Sequence, residues 1–86
     1  MEYVIVFSDT NTAIMAERCL LDASVAVSVM PLPESIDAGC GITLRVRDGL
    51  LKGALKVLGD NGAHASGVYS RVRTGAGYVY EKLQRI

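Results

Sequence analysis

The sequence predicts a single α+β domain in which two helices cover one face of an antiparallel sheet. Three observations carry that prediction. Val25, Val27 and Val29 alternate with Ala26, Ser28 and Met30, Ile42, Leu44 and Val46 alternate with Thr43, Arg45 and Arg47, and residues 78–83 alternate again, the period of a strand. Residues 11–23 and 51–58 instead carry apolar side chains at helical spacing. Proline, glycine and asparagine fall between these segments, where turns are needed.

The first strand is read at residues 3–7, YVIVF, a nearly all-apolar run suited to a central position. Ser8, Asp9 and Thr10 supply capping oxygens for a helix over 11–23. Ala13, Ala16, Leu20 and Ala23 form its stripe, and Ile14 and Leu21 widen the apolar face. Val25, Val27 and Val29 mark a second strand, stopped by Pro31 and Pro33. Ile42, Leu44 and Val46 mark a third.

Asp48 is placed to cap a second helix, whose stripe is Leu51, Ala54, Leu55 and Leu58. Gly59 to Gly62 stops it. A fourth strand is expected over 64–73 and a turn at 74–77. The tail from 78 is read as a fifth strand hairpinned to the fourth, with a short helix as the competing reading. The order β-α-β-β-α-β is that of a ferredoxin-like sandwich, here with a C-terminal β-hairpin extension.

The 86 residues, half of them apolar, suffice for one core over 1–86, and no repeat or linker divides them. Nine basic residues balance nine acidic ones, so no net field favours nucleic acid or a membrane surface, and neither is expected as a partner. No signal peptide or membrane span is visible, which makes the cytoplasm the expected compartment. The apolar excess and the need to cover sheet edges lead us to expect a homodimer.

Cys19 and Cys40 make no framework and no C-x-x-C pair, so both read as free thiols. No metal or cofactor is expected: Glu34, Asp37 and Asp48 make no ligand spacing, and Gly75 and Gly77 lack the context of a dinucleotide fingerprint. Cys19 falls in mid-helix as a small boundary hydrophobe.

Cys40 is the residue that draws attention. It lies between Gly39 and Gly41 near the end of the long loop PLPESIDAGCGI, residues 31–42. The predicted topology brings this loop to the same end of the sheet as Thr10, at the start of the first helix, and His64. A helix N-terminus favours an anion, and flanking glycines leave a side chain uncovered. Cys40 is therefore expected to be an exposed, activated thiol, with His64 as a possible support. The plain alternative is a loop cysteine whose glycines serve only the turn, with His64 a solvated surface residue.

Tyr69, Tyr78 and Tyr80 mingle with Arg71, Arg73, Lys82 and Arg85. No aromatic-rich RNA-binding motif accompanies them, so they read as a hairpin face or subunit contact.

Phe7, Thr10, Ala13, Ala16, Glu17, Leu20 and Leu21, then Pro31 and Pro33, then Cys40 and Gly41 and the strand to Val46, form an ordered set. With it the chain resembles the small selenium/sulfur carrier-like domain family over about residues 3–70. It departs from the family pattern at Asp9, where serine is common, and residues 71–86 extend past the resemblance. The resemblance implies that Cys40 accepts sulfur or selenium as a persulfide or selenosulfide. It also implies a donor such as a cysteine desulfurase and a separate acceptor, so the domain would be a carrier rather than a stand-alone enzyme. A non-catalytic interaction or regulatory module with an incidental cysteine is the alternative. A thiol enzyme using Cys40 and His64 is a third reading.

Overall fold

A computed structural model describes residues 1–36 and 39–83. It is an α+β structure with two helices and a five-stranded antiparallel sheet. The elements are β1 (Glu2–Val6), α1 (Thr10–Asp22), β2 (Ser28–Pro31), β3 (Ile42–Arg47), α2 (Leu51–Asp60), β4 (Gly67–Thr74) and β5 (Gly77–Lys82). The strand order is β2-β3-β1-β4-β5, so the apolar first strand is central and β2 and β5 are the edges.

Strand alternation divides the apolar residues between two faces. Ile5, Phe7, Leu44, Val46 and Val68 cluster with Ala13, Ala16 and Leu20 of α1 and Ala54 and Leu58 of α2. Both helices therefore lie on this face. Truncating Leu20 or Leu58 to alanine would cost about 2–5 kcal/mol. Val4 and Val6 point the other way and are covered by Ile36, with Met30, Leu32, Tyr69 and Tyr80 around them. The start of the long loop thus folds over the helix-free face, and β1 is buried from both sides.

Asp9 caps α1: its Oδ1 accepts from the Thr12 backbone N–H at 2.8 Å. Both helices stop in the same way. Val25 N–H donates to Leu20 O and Ser24 N–H to Leu21 O; Ala63 N–H donates to Leu58 O and Gly62 N–H to Gly59 O. This is the Schellman pattern. It puts Gly62 at φ 71° and, against the usual preference, Ser24 at φ 61°.

Several boundaries differ from expectation for local reasons. The left-handed Ser24 turns the chain, so residues 25–27 stay outside the sheet and β2 starts at Ser28. Pro31 is the last residue of β2, so the strand ends at the prolines as expected, with Pro31 itself inside it. The next N–H, on Leu32, points inward to Gly41 O at 3.0 Å, so the nitrogen of Pro31 faces the free edge, where no donor is required. Asp48 does not cap α2. The cap position is Leu50, with no side-chain hydrogen bond, while the Asp48 N–H donates to Met1 O. β4 begins at Gly67, opposite Val6, because Ala63 is drawn into the core first. Ile14 and Leu21 do not widen a buried face; they are 54% and 53% exposed.

The tail is a strand. β5 pairs with β4 from Tyr69–Lys82 to Thr74–Gly77. The rest of the tail reading, beyond residue 83, lies outside the described residues.

Candidate functional site

The loop between β2 and β3 crosses the end of the central strand. It begins on the helix-free face with Leu32 and Ile36, and it returns on the helix face at Cys40. Gly39 is where it passes over the chain. A β-carbon there would sit 2.2 Å from the carbonyl oxygen of Ser8, a distance no real side chain tolerates. Glycine at 39 thus follows from backbone meeting backbone. Gly41 is different: a β-carbon there would meet nothing within 4 Å, so no close approach requires glycine at 41.

Cys40 lands beside the start of α1. Its Sγ lies 3.7 Å from Thr10 Oγ1, to which the thiol donates, and the Ile42 backbone N–H reaches the sulfur at 3.4 Å. The expected neighbourhood of Cys40 and the first helix is therefore present. The expected exposure is not. Cys40 is 1% exposed and packs with Phe7, Ala13 and Ala63 in the helix-side core. The physical reason is the crossing at Gly39, which presses this end of the loop onto the turn after β1. Cys19, read as the inert thiol, is the more accessible of the two.

The same helix end already holds a negative charge. Asp9 accepts from Thr12 through both backbone and side chain. The backbone N–H of Thr12 first, and then its hydroxyl, hold the Asp9 carboxyl below its ordinary value of 3.8. A thiolate at Cys40 would share the α1 terminus with that carboxylate.

Other residues of the expected site are placed less closely. Pro31 lies in β2 and is exposed, and Pro33 accepts from the Ile36 N–H to form the turn that lays Ile36 on the sheet. His64 is exposed and makes no hydrogen bond to Cys40 among the described residues. Among those residues no group of three His, Cys, Asp or Glu side chains is placed to share a metal ion. Among the described residues no helix is long and apolar enough to cross a membrane.

A family model described as "Putative Se/S carrier protein-like" matches residues 2–70. The chain belongs to this family. Neither a curated protein nor a solved structure matches it. The matched span of this Se/S carrier-like chain runs from β1 into β4 and contains the whole Cys40 loop. It leaves out the second half of β4 and all of β5.

A second polar cluster escaped the sequence reading. Glu2, Arg45, Arg71 and Tyr80 meet on the helix-free face. Glu2 pairs with Arg71 and, at 3.6 Å, with Arg45. Arg71 Nε donates to Tyr80 Oη at 3.1 Å, and its guanidinium lies 3.6 Å from the centre of the Tyr78 ring. Burial pulls the Arg71 pKa down; Tyr80 and Glu2 more than offset this, and the result is raised. Only the strand registers disclose this cluster, because Glu2 and Arg71 are far apart in the chain.

Proposed function

We propose that this domain carries sulfur or selenium on Cys40 between partner proteins. The observation that supports this most is the position of the Cys40 sulfur, beside Thr10 at the head of α1, in a chain of the carrier-like family. We read the fold as a ferredoxin-like sandwich with one strand added, which makes the Cys40 loop the link between its second and third strands.

Loading would be a thiol exchange. The Cys40 thiolate attacks the outer sulfur of a donor persulfide. The new S–S bond forms as the donor's S–S bond breaks, and the donor leaves as a thiolate that takes up a proton. Delivery is the same exchange toward an acceptor thiol or another nucleophile. Burial has a use here, since a covered persulfide is kept from stray thiols. It also imposes a condition: the Gly39 end of the loop must lift before a partner can reach the sulfur. A cysteine desulfurase with cysteine is the natural donor to try. The exposed Ile14 and Leu21 on α1 suit either such a partner or a second copy of the chain.

A second reading has its own observation. Cys40 is packed as a core residue, as it would be in an interaction module whose loop merely docks a partner. Incubation with desulfurase and cysteine, followed by intact mass, separates the two. The carrier gains a reducible sulfur that Cys40→Ser does not gain. The docking module gains none, and it binds its partner unchanged by that substitution.

A further inference from the structure

The balanced net charge conceals a segregation. Register puts Arg45 and Arg47 of β3, Arg71 and Arg73 of β4, and Lys82 of β5 on the helix-free face. These are five of the chain's nine basic residues. The same face of the five strands holds one carboxylate, Glu2, which lies opposite Arg47 on one side and Arg71 on the other. Glu2 is shared between Arg45 and Arg71. Arg47, Arg73 and Lys82 are exposed and make no ion pair among the described residues.

The surface also has shape and aromatic faces. Two hollows meet at Glu2. One, of about 370 Å³, is lined by Arg45, Arg47 and Ser28 and runs around the end of the sheet to Leu21 of α1; the other, of about 440 Å³, is lined by Arg71, Arg73 and Tyr78. Tyr78 is 45% exposed and has the Arg71 guanidinium against its ring. Gly67 leaves room for the stem of Lys82 to cross above it beside Tyr69.

We propose that this helix-free face binds single-stranded nucleic acid, with Arg45, Arg47, Arg73 and Lys82 on phosphates and Tyr78, backed by Arg71, stacking on a base. A polyanion is what complements a face of five cations and one carboxylate. Alternate residues of a strand are about 7 Å apart, so the cations form a broad field rather than a pocket for one small anion. The tyrosine decides between polyanions. A nucleobase can stack on its ring, whereas an acidic peptide has no flat group to match it. Ile36 and Leu32 cover the face over Val4 and Val6, and the part they leave uncovered, around Arg47, Arg73 and Tyr78, suits an unpaired strand, whose bases are free to stack there. Arg71, Arg73, Tyr78 and Lys82 lie beyond the family match, and the proposal does not depend on Cys40.

The test is fluorescence anisotropy with labelled oligouridylate and oligodeoxythymidylate of about twelve nucleotides. Three or four phosphate contacts give a slope of log K against log salt between about −2 and −3. The pair Arg47→Ala and Arg73→Ala should weaken binding at least tenfold and shrink the slope by about 1.4. Tyr78→Ala should weaken it about fivefold or more. Cys40→Ser should bind as the parent does, so failure here is distinguishable from failure of the carrier reading. Thermal unfolding of each variant confirms that it is folded. No binding of either oligonucleotide at low salt would overturn the proposal. So would displacement by polyglutamate at equal charge together with an unchanged affinity for Tyr78→Ala, which would assign the face to an acidic protein segment.

Discussion

The Sγ of Cys40 lies 3.7 Å from Oγ1 of Thr10, the first residue of α1, although thirty positions separate them in the chain. The contact exists because the β2–β3 loop crosses the end of β1 and returns onto the helix side. The sulfur is 1% exposed there, so its reactivity depends on how readily the crossing opens. This orders the two thiols. With a thiol reagent under native conditions, Cys19 should react in a fast phase and Cys40 in a slow one. Cys40→Ser should abolish the slow phase, and mild denaturant should accelerate it. Equal rates for both cysteines would mean that the loop does not cover the sulfur.

Gly39 and Gly41 look equivalent in the sequence and should behave differently. Gly39→Ala forces a β-carbon against Ser8 O and should destabilise the domain by about 1–3 kcal/mol. It should also quicken the slow phase at Cys40, because the loop end is pushed off the turn. Gly41→Ala meets open space and should change stability by no more than about 0.5 kcal/mol. Urea unfolding of the two variants checks the contrast.

The two helix ends offer a matched pair. Ser24 holds φ 61° where α2 uses Gly62 at φ 71°. Left-handed backbone costs an ordinary residue about 1–2 kcal/mol. Ser24→Gly should therefore stabilise the domain by about 0.5–1 kcal/mol after glycine's greater freedom in the unfolded chain is set against it. Gly62→Ala should destabilise it by about 1 kcal/mol. Thermal midpoints in one buffer suffice to compare them.

Asp9 gives a pH signature. Its carboxyl is held below its ordinary value of 3.8 by the Thr12 N–H and then the Thr12 hydroxyl. A lowered carboxyl pKa stabilises the fold fully above the unfolded value, and that contribution is lost as pH falls through the folded value. The parent should thus be more stable than Asp9→Ala at neutral pH, with the gap closing only below about pH 4. Thermal midpoints of both proteins across that range would show a constant gap if the cap played no part.

Much of the fold was legible because it rests on local periodicity. The alternation in β3 and β5, the stripe of Leu51, Ala54, Leu55 and Leu58, and the capping oxygen of Asp9 all lie within a few residues of one another. What was hidden depends on contacts distant in sequence. Nothing around Ser24 announces a left-handed residue, so the valine alternation predicts a strand that starts three residues before β2 does. The burial of Cys40 comes from Gly39 meeting Ser8, a contact that only the folded crossing creates. The burial of Val4 and Val6 likewise required Ile36 to fold back over the sheet. The basic face was concealed because Arg45 and Arg71 belong to strands that become near neighbours only on either side of β1.

The central claim is that Cys40 takes up and gives back sulfur or selenium. The most direct measurement is peptide mapping by mass spectrometry after incubation with a cysteine desulfurase and cysteine, on the parent, Cys19→Ser and Cys40→Ser. The account predicts one added sulfur on the Cys40 peptide of the parent and of Cys19→Ser, released by a small thiol, and none in Cys40→Ser. Loading should be faster in Gly39→Ala, where the loop end is displaced. Sulfur found only on the more accessible Cys19, or an adduct that persists in Cys40→Ser, would contradict it.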